Sequence, residues 1–327
     1  MCNRRPIVGR RLLQESLNAA SLSPDYACHL RRARHEAWRW RKDAIDHAIQ
    51  LLHNGLAVVG DNARLYAALG HAYLQYREAG IDVSDGPLDE AEDCARKVFA
   101  LEASSASGLL LRGWIHYGRG RIQHAVHDLK AALEIEPNNG DTLLLLINCY
   151  LISGKVSAAR PLIMRVLAVD PLTPISRCMP AFADSMEGNF AETVEPYRQM
   201  CEMDPGNPMA RLFYVWALAL HRRTEAVGAV LDGFPPEVRD TVPARLARFL
   251  AHALAGNAAD AHAAVTAEME AVAAAADVFA RILAQGPRRG RAIAVRRKSR
   301  PGRSSVHRQR RLAPPKSRCG PASVSSG

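Results

Sequence analysis

Pro137, Pro171 and Pro205 stand 34 residues apart. A fixed interval of that length marks one supersecondary unit stacked on copies of itself. Each proline closes a similar phrase: Leu133-Glu134-Ile135-Glu136-Pro137, Leu167-Ala168-Val169-Asp170-Pro171 and Cys201-Glu202-Met203-Asp204-Pro205. A helix ends before such a proline, which lacks the N–H and disfavours helical geometry in the preceding residue. The polar residues that follow, Asn138-Asn139-Gly140-Asp141 and Gly206-Asn207, suit turns and helix N-caps. Each phrase therefore ends one helix and starts the next.

A second mark falls inside each period. Gly120, Gly154 and Gly188 each precede a helical segment, where a positive φ between antiparallel helices carries no Cβ penalty. Five residues on stand Ala125, Ala159 and Thr193, short enough to let two helices approach. Gly113 is read as the matching small residue on the first helix, against Ala125. Pro180 falls in the first helix of the third unit and predicts a bend there.

Gly113, Gly120, Ala125, Ala132 and Pro137, then Tyr150, Gly154, Ala159 and Pro171, then Gly188, Tyr197 and Pro205 resemble the tetratricopeptide repeat family. The resemblance implies an all-α, right-handed superhelical solenoid of antiparallel helix pairs with a concave inner face. It extends both ways. Upstream, residues 62–77 and 89–99 form a pair split by an insertion at 78–88, and residues 26–40 and 43–59 form another. Downstream lie 209–220 with 224–231, then 243–255 with 258–273, and residues 277–285 begin a further helix. We divide the chain into a flexible segment 1–25, a repeat domain 26–285 of about seven helix pairs, and a disordered tail 286–327. One repeat cannot cover its own apolar face, so stability comes from stacking.

The seven cysteines are scattered and never spaced as CxxC. This argues for a reducing, cytoplasmic setting and against a disulfide framework or zinc site. No stretch reaches the ~18 apolar residues of a membrane helix, and the N-terminal arginines have no apolar run after them, so neither a membrane span nor a secretory signal is expected.

The net charge of +10 is uneven. Residues 286–327 hold thirteen Lys and Arg and no acid, which leaves the rest of the chain at −3. The tail is too poor in apolar residues to offset the entropy of ordering. Two readings of it stand. It is a basic arm for nucleic acid or an acidic surface, or it is the out-of-frame end of a GC-rich coding sequence, since the repeat breaks off near Gly286 before a capping element.

No catalytic signature appears. His116, His124 and His127 cluster in sequence without a carboxylate or cysteine to complete a metal set. Gly118-Arg119-Gly120 has neither the preceding strand nor the Gly-Lys-Ser/Thr of a phosphate loop. Glu90, Glu92 and Asp93 suit a helix start. The expectation is a non-enzyme without cofactor or metal.

In the family that the chain resembles, ligand-facing residues lie on the first helix of each pair. Carried over, that places Trp114, Tyr117, Asp141, Asn148, Leu151, Phe182, Met186 and Trp216 toward a groove. Aromatic residues there suit an extended or helical peptide; packing between helices is the other reading of Trp114 and Trp216. Phrases such as Arg34-His35-Glu36-Ala37-Trp38-Arg39 and Glu195-Pro196-Tyr197-Arg198 look like the repeat halves of bacterial signalling proteins that carry a kinase, cyclase or winged-helix module. The expected partner is a protein or peptide, with nucleic acid bound only through the tail, no membrane, and self-association left open.

Overall fold

The computed structural model describes residues 24–221 and 223–274. The expectations for 1–23, for the helix at 277–285 and for the tail 286–327 lie outside the described residues. The described chain is a succession of helix pairs. They are α1 (Pro24–Ala37) with α2 (Lys42–Val59), α3 (Ala63–Glu78) with α4 (Gly86–Leu101), and α5 (Ala106–Gly118) with α6 (Ile122–Ile135). Next come α7 (Gly140–Ile152) with α8 (Val156–Val169), and α9 (Pro174–Glu187) with α10 (Val194–Met203). Then follow α11 (Pro208–Leu220) with α12 (Val227–Asp232), and α13 (Val242–Ala255) with α14 (Ala258–Ala263). A last helix, α15, spans Ala267–Ala274. From α1 to α14 each helix packs on the next, α15 packs on α13, and first helices pack on the first helix of the neighbouring pair (α3 on α5, α5 on α7, α7 on α9). That arrangement is a solenoid.

The 34-residue register is built from two hydrogen-bonded devices. At the turn inside each pair, Gly120, Gly154 and Gly188 have φ of +72°, +72° and +87°. The next residue donates its N–H back to the last turn of the helix: Arg121 to the His116 carbonyl, Lys155 to Tyr150, Asn189 to Asp184. This is a Schellman closure, and glycine supplies its left-handed residue. Between pairs, Ser105, Asn139 and Asn207 cap the next helix by accepting from the N–H of Gly108, Thr142, and Met209 with Ala210. Thr173 holds the same register position, and Asp170 accepts from both its N–H and its hydroxyl. The acid three residues before each cap ties to it: Ser105 donates to Glu102, Asn139 to Glu136, Thr173 to Asp170 and Asn207 to Asp204, at 2.8–3.2 Å. Caps of this kind contribute about 1 kcal/mol each.

Close approach explains two helical glycines. A Cβ on Gly113 would stand 3.1 Å from Leu129 and 3.5 Å from the Ala125 carbonyl, and one on Gly70 would stand 2.5 Å from Leu111. Helix α9 runs on through Pro180.

Three boundaries differ from the sequence expectation. The helix expected over 26–40 ends at Ala37, so Trp38 and Trp40 lie beyond it. The loop after α3 is shorter than 78–88, because α4 begins at Gly86 with Pro87 in its first turn, a position proline favours. The turn glycine of this pair is Gly80 (φ +67°) instead of residue 86, so the extra residues follow the turn. Arg77, buried, donates to the carbonyls of Val83 and Ser84 at 2.5 and 2.6 Å and pins them. At the other end, residues 258–273 are two short helices, α14 and α15, and not one.

The solenoid also closes on itself. Trp40, Ile45 and Ala79 from the first two pairs belong to the same buried cluster as Cys178, Tyr197, Phe213 and Leu250 from the last three. Arg34 pairs with Asp141 at 2.7 Å, and Arg41 approaches Glu237 at 3.7 Å. The segment between α1 and α2 thus reaches across the concave side, which the register alone does not predict.

Candidate functional site

The concave side holds a groove of about 1090 Å³. One wall is Arg34, Trp38 and Arg39; the other is the row of turns and helix starts around Asp141, Asp170–Thr173 and Asp204–Asn207. Beneath it lies a smaller pocket of about 90 Å³ that shares Trp38, Trp40, Asp141, Leu144 and Ile175 with the groove. Its remaining wall is largely apolar: Trp114, Leu145, Cys178, Met179, Phe182, Tyr197 and Phe213.

Three of the chain's four tryptophans meet here. Trp38 lies between the others, with ring centroids 5.9 Å from Trp40 and 6.2 Å from Trp114. The indole N–H groups are held by one helix: Trp40 donates to Gln75 at 2.5 Å and Trp114 to Glu78 at 3.0 Å. Gln75 and Glu78 are three apart on α3, hence on one face. Trp40 has φ of +52°, the one non-glycine positive φ among the described residues. A bulky residue held there marks a constrained site. Its constraint here is burial, at 8% exposure, among side chains of distant repeats.

The polar groups are few. Asn148 donates through Nδ2 to the Tyr117 hydroxyl at 2.9 Å, while its Oδ1 is buried with no hydrogen-bond partner. His71 stacks edge-on to Trp114 at 5.2 Å, and its Nε2 is also buried and unpartnered. Burial holds its imidazole below the usual histidine range, against the pull of Asp141. Tyr197 stacks on Phe213 at 5.7 Å, and burial pushes its phenol up. Cys178 and Cys201 are free and buried, and burial pushes both thiols up to about 12, so neither is a thiolate near neutral pH.

Of the residues selected from sequence, Trp114, Asp141, Asn148 and Phe182 line this pocket together. Tyr117 and Leu151 are fully buried; Tyr117 backs the pocket through Asn148, and Leu151 packs in a central cluster with Ile147 and Ile163. Met186 is half-buried against that same cluster, and Trp216 is half-buried where it meets the C-terminal one. Sequence reasoning missed Trp38, Trp40, Gln75 and Glu78. The signal available was two tryptophans within three residues at a helix end.

His116, His124 and His127 do have a carboxylate beside them. Asp128 lies 3.6 Å from both His116 and His127, but it is engaged by Arg112 at 2.7 and 2.8 Å. No group of three metal-ligating side chains forms among the described residues.

The turn glycines and capping pairs are densest between Ser105 and Asn207, and the family comparison falls within that stretch. Residues 116–175 match the tetratricopeptide repeat family. The match spans α6, α7 and α8, so the tetratricopeptide segment carries Asp141 and Asn148 of the pocket. Among solved structures, the chain is similar to a thermophilic TPR protein of Thermus thermophilus (18% identity, 58% of this chain and 98% of that one, TM-score 0.45). It is also similar to a tetratricopeptide repeat protein from Parabacteroides merdae (14% identity, 80% of this chain and 99% of that one, TM-score 0.46). No curated protein matches the sequence. No helix among the described residues is long and apolar enough to cross a membrane.

Proposed function

We propose that this chain is a non-enzymatic interaction scaffold that binds a peptide or a segment of a partner protein in its concave groove. The observation that carries the reading is the floor of that groove, where Trp38, Trp40, Leu144 and Ile175 open into an apolar pocket. Aromatic and aliphatic surface in a concave, water-excluding site is where binding energy concentrates in protein interfaces. The walls offer both charge signs for orientation, Arg34 and Arg39 against Asp141, Asp170 and Asp204. Binding in a reducing, cytoplasmic setting fits the buried free thiols, and a role in bacterial signalling fits the phrases noted above.

A photo-crosslinking residue tests the site. Leu172 lines the groove and is 80% exposed, while Gln123 is exposed on the outer helix α6. Benzoylphenylalanine at 172 is expected to form adducts with the partner and at 123 none. Adducts from 123 alone place binding elsewhere and end this reading.

A further inference from the structure

The pocket under the groove has a chemistry more specific than an apolar floor. Its size, about 90 Å³, is several times the ~10–15 Å³ that holds one water. Its walls are mainly ring faces and aliphatic chains, from Trp114, Phe182, Phe213, Met179 and Leu145. Into this wall comes Asn148, whose amide nitrogen is taken by Tyr117 and whose buried Oδ1 accepts nothing. A buried acceptor without a donor is destabilising, and a donor brought by a ligand removes that cost. The apolar lining suits a ring inserted from the groove, and the chemistry asks for one N–H or O–H.

We infer, on the footing of the groove reading above, that this pocket is an anchor socket for a partner's aromatic side chain bearing a donor, a tyrosine or a tryptophan, which hydrogen-bonds Asn148 Oδ1. The occupant comes from another protein. Residues 1–23 and 275–327 contain neither Tyr nor Trp, so the segments of this chain outside the described residues have no such side chain to offer. The entrance lies between Trp38, Trp40 and Leu144, which line both groove and pocket. Rings at the entrance favour an aromatic guest through edge and face contacts.

The test uses the full chain and four blocked pentapeptides, Gly-Ser-X-Ser-Gly, with X as Tyr, Trp, Phe or Leu, titrated by calorimetry. The Tyr and Trp peptides are expected to bind about tenfold more tightly than Phe, because a site built to hydrogen-bond discriminates against the analogue that lacks the donor. Phe is in turn expected to bind more tightly than Leu. In Asn148→Leu, checked for folding by circular dichroism, the preference for Tyr over Phe is expected to vanish while Phe still binds. Equal binding of Tyr and Phe to the unaltered chain overturns the hydrogen-bonded anchor, and equal binding of Leu overturns the aromatic one. Either result leaves the groove reading in place if Leu172 still crosslinks. No binding by any peptide also overturns the socket, and the Leu172 crosslink then decides separately whether the groove binds a partner at all.

Discussion

Trp40→Phe is the substitution with the most to say about how the groove is made. It keeps a ring in the core and removes the indole N–H that Gln75 accepts at 2.5 Å. Gln75 is 2% exposed, so water does not replace the lost donor. An orphaned buried acceptor costs about 1–3 kcal/mol, whereas replacing both partners by apolar groups of similar shape is close to neutral. The smaller ring adds a packing loss of about 1 kcal/mol. We therefore expect Trp40→Phe to destabilise by about 2–4 kcal/mol, Gln75→Met by about 1–3 kcal/mol, and the double variant by less than the sum. The coupling should reach at least about 1 kcal/mol, the range seen for residues in direct contact. Urea denaturation followed by circular dichroism measures all four corners of the cycle. Additive effects within about 0.5 kcal/mol would refute the reasoning, because the bond would then not be what seats Trp40.

Three further expectations follow from other sites. Gly70→Ala places a Cβ 2.5 Å from Leu111 and should destabilise by about 1–3 kcal/mol through overpacking, read as a lower urea midpoint; pairing it with Leu111→Ala should relieve the clash. Asn207→Ala removes a cap that accepts from two N–H groups and should lose about 1 kcal/mol, with hydrogen exchange accelerating first at the start of α11. Burial lowers the pKa of His71 and of His116, so the unfolded chain binds more protons than the folded one below its ordinary histidine pKa of about 6.5. Stability from these groups is full above that pH and falls on acidification, by up to ~1.4 kcal/mol per pH unit for each histidine; urea midpoints between pH 7.5 and 5.5 measure it, and His71→Gln should reduce the slope.

The fold was legible where it is made of local, repeated chemistry. Prolines, turn glycines and asparagine caps act within a few residues, so their 34-residue register reports helix pairs directly. The capping role of Ser105, and the place of Thr173 in the same register, were harder to see, because different residue types fill one position. The insertion was misjudged in length because Gly86 and Pro87 resemble loop residues but begin α4. The site was half legible for a related reason. Trp114, Asp141, Asn148 and Phe182 sit on first helices, whose inner face the register fixes. Trp38 and Trp40 arrive from a turn between helices and meet partners more than a hundred residues away. No local pattern encodes a closure of that kind. Leu151 and Tyr117 show the converse: they share the register of inner positions, but their side chains are consumed by packing.

The proposed partner sits over the tryptophan floor. The chain has four tryptophans, so labelling with 5-fluorotryptophan gives one fluorine resonance for each, assigned by single Trp→Phe variants. Addition of a saturating partner should shift the Trp38, Trp40 and Trp114 resonances and leave Trp216, which lies outside the pocket, nearly unmoved. A partner that saturates the chain while the three pocket resonances stay in place would contradict the account.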